Sequence, residues 1–345
     1  MPLHYTDYLQ LDKILCAQEP ESGKHGKQAA HEEMLFIITH QTYELWFKQM
    51  QHEIDAVLHL MSNETIDDNS AAFQLIIQRL KRVATILKLL VQQIDILETM
   101  TPMNFLAFRD AIRPASGFQS WQFKIIEAKL GLKYDHRHGQ QLYAVQLKQD
   151  EVEALRKAEK EQSILQRINT WLERMPFIND EAYWKNYQPI SGNATAPKFW
   201  NDFEELYVKN LLENERDNEV SFKQVFNNTV PDEQRQLSEK ASRSALFISL
   251  YRGYPLLELP FQLLDTLLEI DSLLSTWRFR HINMIQRMIG VKMGTGGSGG
   301  ASYLKAALEK HYIFKELALL NSFLIERNKL PDLPIDLINK LTYRF

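Results

Sequence analysis

The sequence predicts an all-α protein, and three observations carry that prediction. Apolar residues recur at steps of three and four through several long stretches, no sustained alternation of period two occurs, and the signals between stretches are those that start and stop helices. A chain of 345 residues can bury a large core. We expect one helical-bundle domain over 1–345, with residues 1–30 as an N-terminal arm and 176–198 as an irregular excursion.

The arm carries Tyr5 and Tyr8 in YTDYL, then QEPESGKHGKQ, a loop-like run rich in Gly, Ser and charge. His31 to Met61 reads as a helix. At 100° per residue Phe36, His40, Tyr43, Phe47, Met50 and Ile54 share one narrow face, while Met34, Ile38 and Leu45 point the opposite way, so burial nearly all round is expected. From Ala71 to Thr99, Phe73, Ile76, Ile77, Leu80, Val83, Leu87, Leu90, Ile94 and Leu97 mark a long amphipathic helix. Thr101 as N-cap and Pro102 at the first helical position start a short helix, MNFLAFRDAI, which Pro114 ends. PASG turns the chain into FQSWQFKIIEAKL, a helix stopped by Gly131. Lys148 to Arg174 is charged and helical. FINDEAYWKNYQPISGNATA is irregular, as a surface excursion or a small subdomain would be. Phe199 to Arg216 and Glu233 to Arg252 read as helices, and after Pro255 and Pro260 a long helical pattern runs to Met288. The loop GVKMGTGGSGGA follows, and Ser302 caps a last helix from Tyr303 to about Ile325.

Apolar residues at 45%, charged residues at 24% and a formal net charge of -4 offer no basic field for nucleic acid, so a small-molecule partner is expected. The single cysteine, Cys16, permits no intrachain disulfide and suits a reducing compartment. MPLHYTDYLQLDK has no apolar leader core and no apolar run approaches the ~18 residues of a membrane span. A cytoplasmic protein without membrane segments is the expectation.

Candidate chemistry lies in a few side chains. His31-Glu32 is not a zincin site, because Leu35 stands where HExxH needs its second histidine. His136 and His138 read as solvated loop residues with no third ligand nearby. Residues 294–299 match GxGxxG, but a helix precedes them where the dinucleotide motif needs a strand; they read as a mobile loop with Thr295 as its useful hydroxyl. His281 projects from a stripe of Ile270, Leu274, Trp277, Met284 and Met288, which is what a haem axial ligand needs: an apolar plane and one nitrogen. His40 presents the same picture on a second helix, and two such faces can sandwich a planar cofactor. A core histidine bonded to a carbonyl is the alternative for each. Arg109, one turn after Phe105 and beside Phe108, can hold a carboxylate by a bidentate fork, or can snorkel over apolar neighbours.

The runs YTDYLQLDKIL, HEEMLFIITHQTYELWFKQ, FRDAIRPASGFQSWQF, WLER and WRFRHINMIQRMIGVKMGTGGSGG together resemble the tryptophan 2,3-dioxygenase family in order and spacing, from about Tyr5 to about Leu324. The resemblance implies haem-dependent cleavage of the indole C2–C3 bond of L-tryptophan by O2, giving N-formyl-L-kynurenine in the first step of the kynurenine route. It implies haem b, ferrous in the active form, with His281 as proximal iron ligand and Ser116 and Gly117 in a turn close to the haem. It places His40 against the indole N–H, Phe36, Ile37, Ile38 and Thr39 of the same FIITH run at the substrate, Phe105 as a pocket wall, Arg109 on the carboxylate and Thr295 at the ammonium and carboxylate end. It also implies a homotetramer, a dimer of dimers, in which Tyr5 and Tyr8 reach a neighbouring subunit's site. Glu32, Gly299 and Glu326 depart from the family's usual residues; Gly299 bears on how the 294–300 loop orders. The rival expectations are a haem enzyme for a substituted indole or another aromatic, and a non-catalytic haem sensor.

Overall fold

The computed structural model describes residues 2–24, 26, 28–62, 70–134, 137, 146–179, 181–190, 198–227, 235–290, 292, 294 and 311–342. Among them there are helices and no strand, as the periodicity predicts. Two short helices, α1 (Tyr5–Leu9) and α2 (Leu11–Leu15), form the arm and bury no residue. Helix α3 (His31–Leu60) has no side-chain cap; instead Glu33 is buried one turn in and accepts from the backbone of Glu21 and Ser22, which ties the arm to it. Helix α4 (Ala71–Leu97) is capped by Ser70, whose hydroxyl accepts from the Phe73 N–H. Thr101 caps α5 (Pro102–Arg109) by accepting from the Asn104 N–H. Ser120 caps α6 (Trp121–Leu130), which stops at Gly131 with φ 142°. A side chain is excluded there twice over, by the backbone angle and because a Cβ would stand 2.8 Å from that of Leu165.

The single helix expected over 148–174 is two, α7 (Gln149–Lys160) and α8 (Ile164–Glu173), because Ser163 and Gln166 form a reciprocal capping box that restarts the chain. After α9 (Pro176–Asn179), the described part of the excursion folds inward: the Tyr187 hydroxyl donates to Asp202 and the Trp184 indole to the Phe177 carbonyl. Helix α10 (Lys198–Asn210) ends six residues short of Arg216, with a single 3₁₀ turn over Glu213–Glu215 before α11 (Asp217–Phe226). Helix α12 (Glu239–Leu250) starts at the Ser238 cap rather than at Glu233. Helix α13 (Pro255–Ile289) carries Pro260 within its early turns and continues, held by a face buried from Leu257 to Met288.

The last expected helix is corrected. His311 to Phe314 is not helical, because the buried Asp271 carboxylate of α13 accepts from both the Ile313 and Phe314 N–H groups, and a carboxylate paired to two backbone donors outweighs one turn of helix. Only α14 (Lys315–Leu319) and two 3₁₀ turns, Leu320–Phe323 and Arg327–Lys329, follow before α15 (Ile335–Leu341). Ser302 and Tyr303 lie outside the described residues.

Helix α4 packs along both α3 and α13, α6 lies against α3, and α5 touches both α3 and α13 at one end. The main core joins Tyr43, Phe47, Met50 and Ile54 of α3 to Ile270 and Leu274 of α13. Burial of α3 nearly all round is not observed: Met34, Ile38 and Leu45 are 39%, 47% and 54% exposed, since α4, α5 and α6 cover one side and, among the described residues, nothing covers the other.

Candidate active site

Phe36 and His40 occupy successive turns of α3, and their rings lie 4.0 Å apart. The His40 Nδ1 is 2.7 Å from the Phe36 carbonyl oxygen. A carbonyl can only accept, so in the neutral imidazole the proton sits on Nδ1 and Nε2 keeps its lone pair. Burial pushes the His40 pKa down, against the smaller opposing effects of that carbonyl and Glu44, which keeps the ring neutral. The side chain is therefore a fixed hydrogen-bond acceptor.

His281 of α13 is different. Burial, and to a smaller extent the nearby His40, lower its pKa to about 4, so the two imidazoles are close neighbours and this one is neutral. Among the described residues no group hydrogen-bonds either nitrogen of His281. The ring of Trp277, one turn earlier, stacks on it at 5.1 Å and 9°. A neutral imidazole keeps one nitrogen lone pair that can be given to a metal.

The two histidines also share a position in the packing. On α3, Tyr43 and Phe47 belong to the main core while Leu35 and Phe36 belong to a second, smaller cluster; on α13, Ile270 and Leu274 belong to the first while Met284 and Met288 belong to the second. His40 and His281 stand at the seam. Helix α5 closes the second cluster: Phe105 and Phe108 lie 5.9 and 5.5 Å from the Phe36 ring, and Arg109 beside them is only 6% exposed. An arginine taken from water at an aromatic pocket is placed for a carboxylate.

The opposite flank is held by charge. Glu127 of α6 accepts from Arg137 and Arg278, each at 2.6 Å, and Arg278 also donates to the His311 carbonyl. Burial pushes the Glu127 carboxyl up, but Arg137, Arg278 and His311 together outweigh it and hold it at about 2. Ser116 caps the turn that leads into α6, accepting from Phe118, and the Phe118 carbonyl accepts from buried Lys124, whose pKa burial depresses to about 8. At Gly117 no protein atom lies within 4 Å of where a Cβ would stand, so that face of the turn is open.

Of the residues the sequence singled out, the structure brings Phe36, His40 and Phe105 together, with Arg109 buried at the end of the same short helix as Phe105 and His281 close to His40. It does not bring Ile38, which is exposed on the far side of α3, or Thr39, which is buried with its carbonyl accepting from Gln93 of α4; Ile37 is half-buried. Three consecutive helical residues cannot share a face. Tyr5 and Tyr8 are each 69% exposed on α1. Thr295, Gly299, His136 and His138 lie outside the described residues, among which no group of three potential metal-ligating side chains occurs. Sequence reasoning placed Phe108 beside Arg109 but missed Phe123 behind Trp277 and the Glu127 node, the latter because its partner Arg278 is 151 residues away.

A family model for tryptophan 2,3-dioxygenase matches residues 1–324. The chain is 38% identical over 358 residues to a protein of Bdellovibrio bacteriovorus named tryptophan 2,3-dioxygenase, covering 100% of this chain and 99% of that one. It is 43% identical over 351 residues to a protein of the same name from Dictyostelium discoideum, covering 96% and 86%, and 40% identical over 350 residues to one from Xenopus laevis, covering 96% and 84%.

Proposed function

Because the chain belongs to the tryptophan 2,3-dioxygenase family, we propose that it opens the indole ring of L-tryptophan with O2 between C2 and C3, releasing N-formyl-L-kynurenine and so starting tryptophan breakdown by the kynurenine route. The observation that carries the assignment of roles is the seam: two neighbouring, neutral imidazoles between two apolar clusters, one with no hydrogen bond among the described residues and one fixed as an acceptor.

The residues fit haem b. His281 would hold the iron, Trp277, Leu274, Met284 and Met288 line its face of α13, and the Ser116–Gly117 turn has an open side. When bound, haem in its ferrous form supplies the redox chemistry that lets O2 react with a closed-shell indole. The chain's own residues do the rest. Arg109 pairs with the substrate carboxylate through its guanidinium fork, and a substrate lacking that group forgoes a charge-assisted pair worth about 1–3 kcal/mol. The rings of Phe36, Phe105 and Phe108 pack against the flat indole and exclude water. The His40 Nε2 accepts the indole N–H, which fixes the ring's direction without removing its proton. Thr295 is assigned to the ammonium and carboxylate end by family likeness.

The uncovered face of α3 at Met34, Ile38 and Leu45, and the exposed Tyr5 and Tyr8 of the arm, fit a homotetramer in which the arm reaches a neighbouring site. No described helix is long and apolar enough to cross a membrane. With one exposed cysteine, a cytoplasmic setting suits the chain.

The test is direct: load the purified protein with haem, add ascorbate, L-tryptophan and air, and follow formylkynurenine absorbance. Accumulation that requires haem, reductant and O2 supports the proposal. A haem-loaded protein that binds O2 but leaves tryptophan intact overturns it in favour of a sensor, and turnover of a substituted indole alone overturns the substrate assignment.

A further inference from the structure

Trp277 has no part in the reaction as described, yet its ring is held from three sides. It packs against Phe123 of α6 at 5.0 Å and meets Tyr43 of α3 edge-on at 6.1 Å, and Tyr43 is itself anchored by donating to the Leu90 carbonyl of α4 at 2.8 Å. The next residue, Arg278, fixes the register of α13 through Glu127 and the His311 carbonyl. Against this anchored ring lies the His281 imidazole, stacked at 5.1 Å and 9°. The buried Trp277 Nε1–H lies toward the Tyr43 hydroxyl, while the ring itself meets Phe123 and His281.

An axial histidine ordinarily has its second nitrogen tied to a carbonyl or carboxylate, which fixes the ring plane and raises its donor strength. His281 has no such protein acceptor among the described residues. We propose that Trp277 is the positioning residue that fixes the plane of the His281 imidazole by stacking, in place of the missing hydrogen bond, and that His281 is consequently a neutral, comparatively weak donor to the metal. This rests on the assignment of His281 as iron ligand made above.

The test uses the haem-loaded protein and the variants Trp277→Leu and Trp277→Phe, read by the iron–histidine stretching band of the ferrous form and by the rhombicity of the ferric electron paramagnetic resonance signal. Wild type is expected to give one narrow band at the low-frequency end of the range for histidine-ligated haems. Trp277→Leu is expected to broaden or split the band, change the rhombicity and speed haem loss at least tenfold. Trp277→Phe, which keeps a ring and removes only the indole N–H, is expected to fold and to give an intermediate spectrum. A merely structural role would lower the thermal stability of Trp277→Leu and leave band and rhombicity unchanged, and that result overturns the inference. If wild type takes up no haem, or His281→Ala keeps a histidine stretching band, it is the ligand assignment that fails instead.

Discussion

The wall of the site built on α3 and the wall built on α13 each present one imidazole, and they are not equivalent. His40 has its Nδ1 tied to the carbonyl of its own helix, 2.7 Å away, so its chemistry is decided before any ligand arrives: it accepts one hydrogen bond from one direction. His281 has no such tie among the described residues, a pKa lowered to about 4, and an aromatic neighbour stacked on its ring. The α3 wall continues into Phe36 and the α5 side chains Phe105, Phe108 and Arg109, a set suited to a flat molecule with a carboxylate. The α13 wall is backed by the Glu127–Arg278 ion pair and by core. The difference teaches that a fixed tautomer suits recognition of substrate, whereas an uncommitted imidazole on a clamped helix suits a metal.

Variants that act on one wall at a time sharpen the contrast. The largest effect on stability is expected from Glu127→Gln, which leaves Arg137 and Arg278 buried against a neutral amide and costs about 3–5 kcal/mol. It should also change the pH dependence. The carboxyl stands at about 2 in the folded protein against 4.5 when free, so its stabilisation is fully present above 4.5 and is lost as pH falls toward 2. Urea unfolding from pH 2.5 to 7 should show a flattened acid limb in the variant; an unaltered limb would refute the role of the pair. Next, Arg109→Ala should weaken tryptophan binding by about 2–4 kcal/mol with haem content unchanged, measured by spectral titration. An unchanged titration would remove Arg109 from the substrate. The smallest effect is expected at His40: loss of one neutral hydrogen bond is about 1 kcal/mol, so His40→Ala should lower kcat/KM five- to tenfold while turnover persists. Complete inactivity with haem and substrate still bound would make His40 more than a positioning group.

Much of this was legible in the sequence where a single helix face carries the information. The spacing of Phe36, His40, Tyr43 and Phe47 and that of Ile270, Leu274, Trp277 and His281 located α3, α13 and both imidazoles, and Thr101-Pro102 located the start of α5. The restart at Ser163 was written in its Ser-x-x-Gln signature but hidden by charged, helix-favouring residues on both sides. The non-helical turn at His311–Phe314 was not readable, because Asp271, which dictates it, lies more than forty residues away. The exposure of Met34, Ile38 and Leu45 was misjudged for a related reason: hydrophobicity says that a face wants cover, not which chain supplies it.

The non-equivalence of the two histidines is tested most directly by titrating haem into apo His40→Ala and apo His281→Ala side by side and recording the Soret band and haem retention on gel filtration. The account predicts that His40→Ala takes up one haem per chain with the wild-type spectrum, and that His281→Ala fails to retain haem until imidazole is added. Stable, wild-type-like haem in His281→Ala, or its loss in His40→Ala alone, would contradict the account.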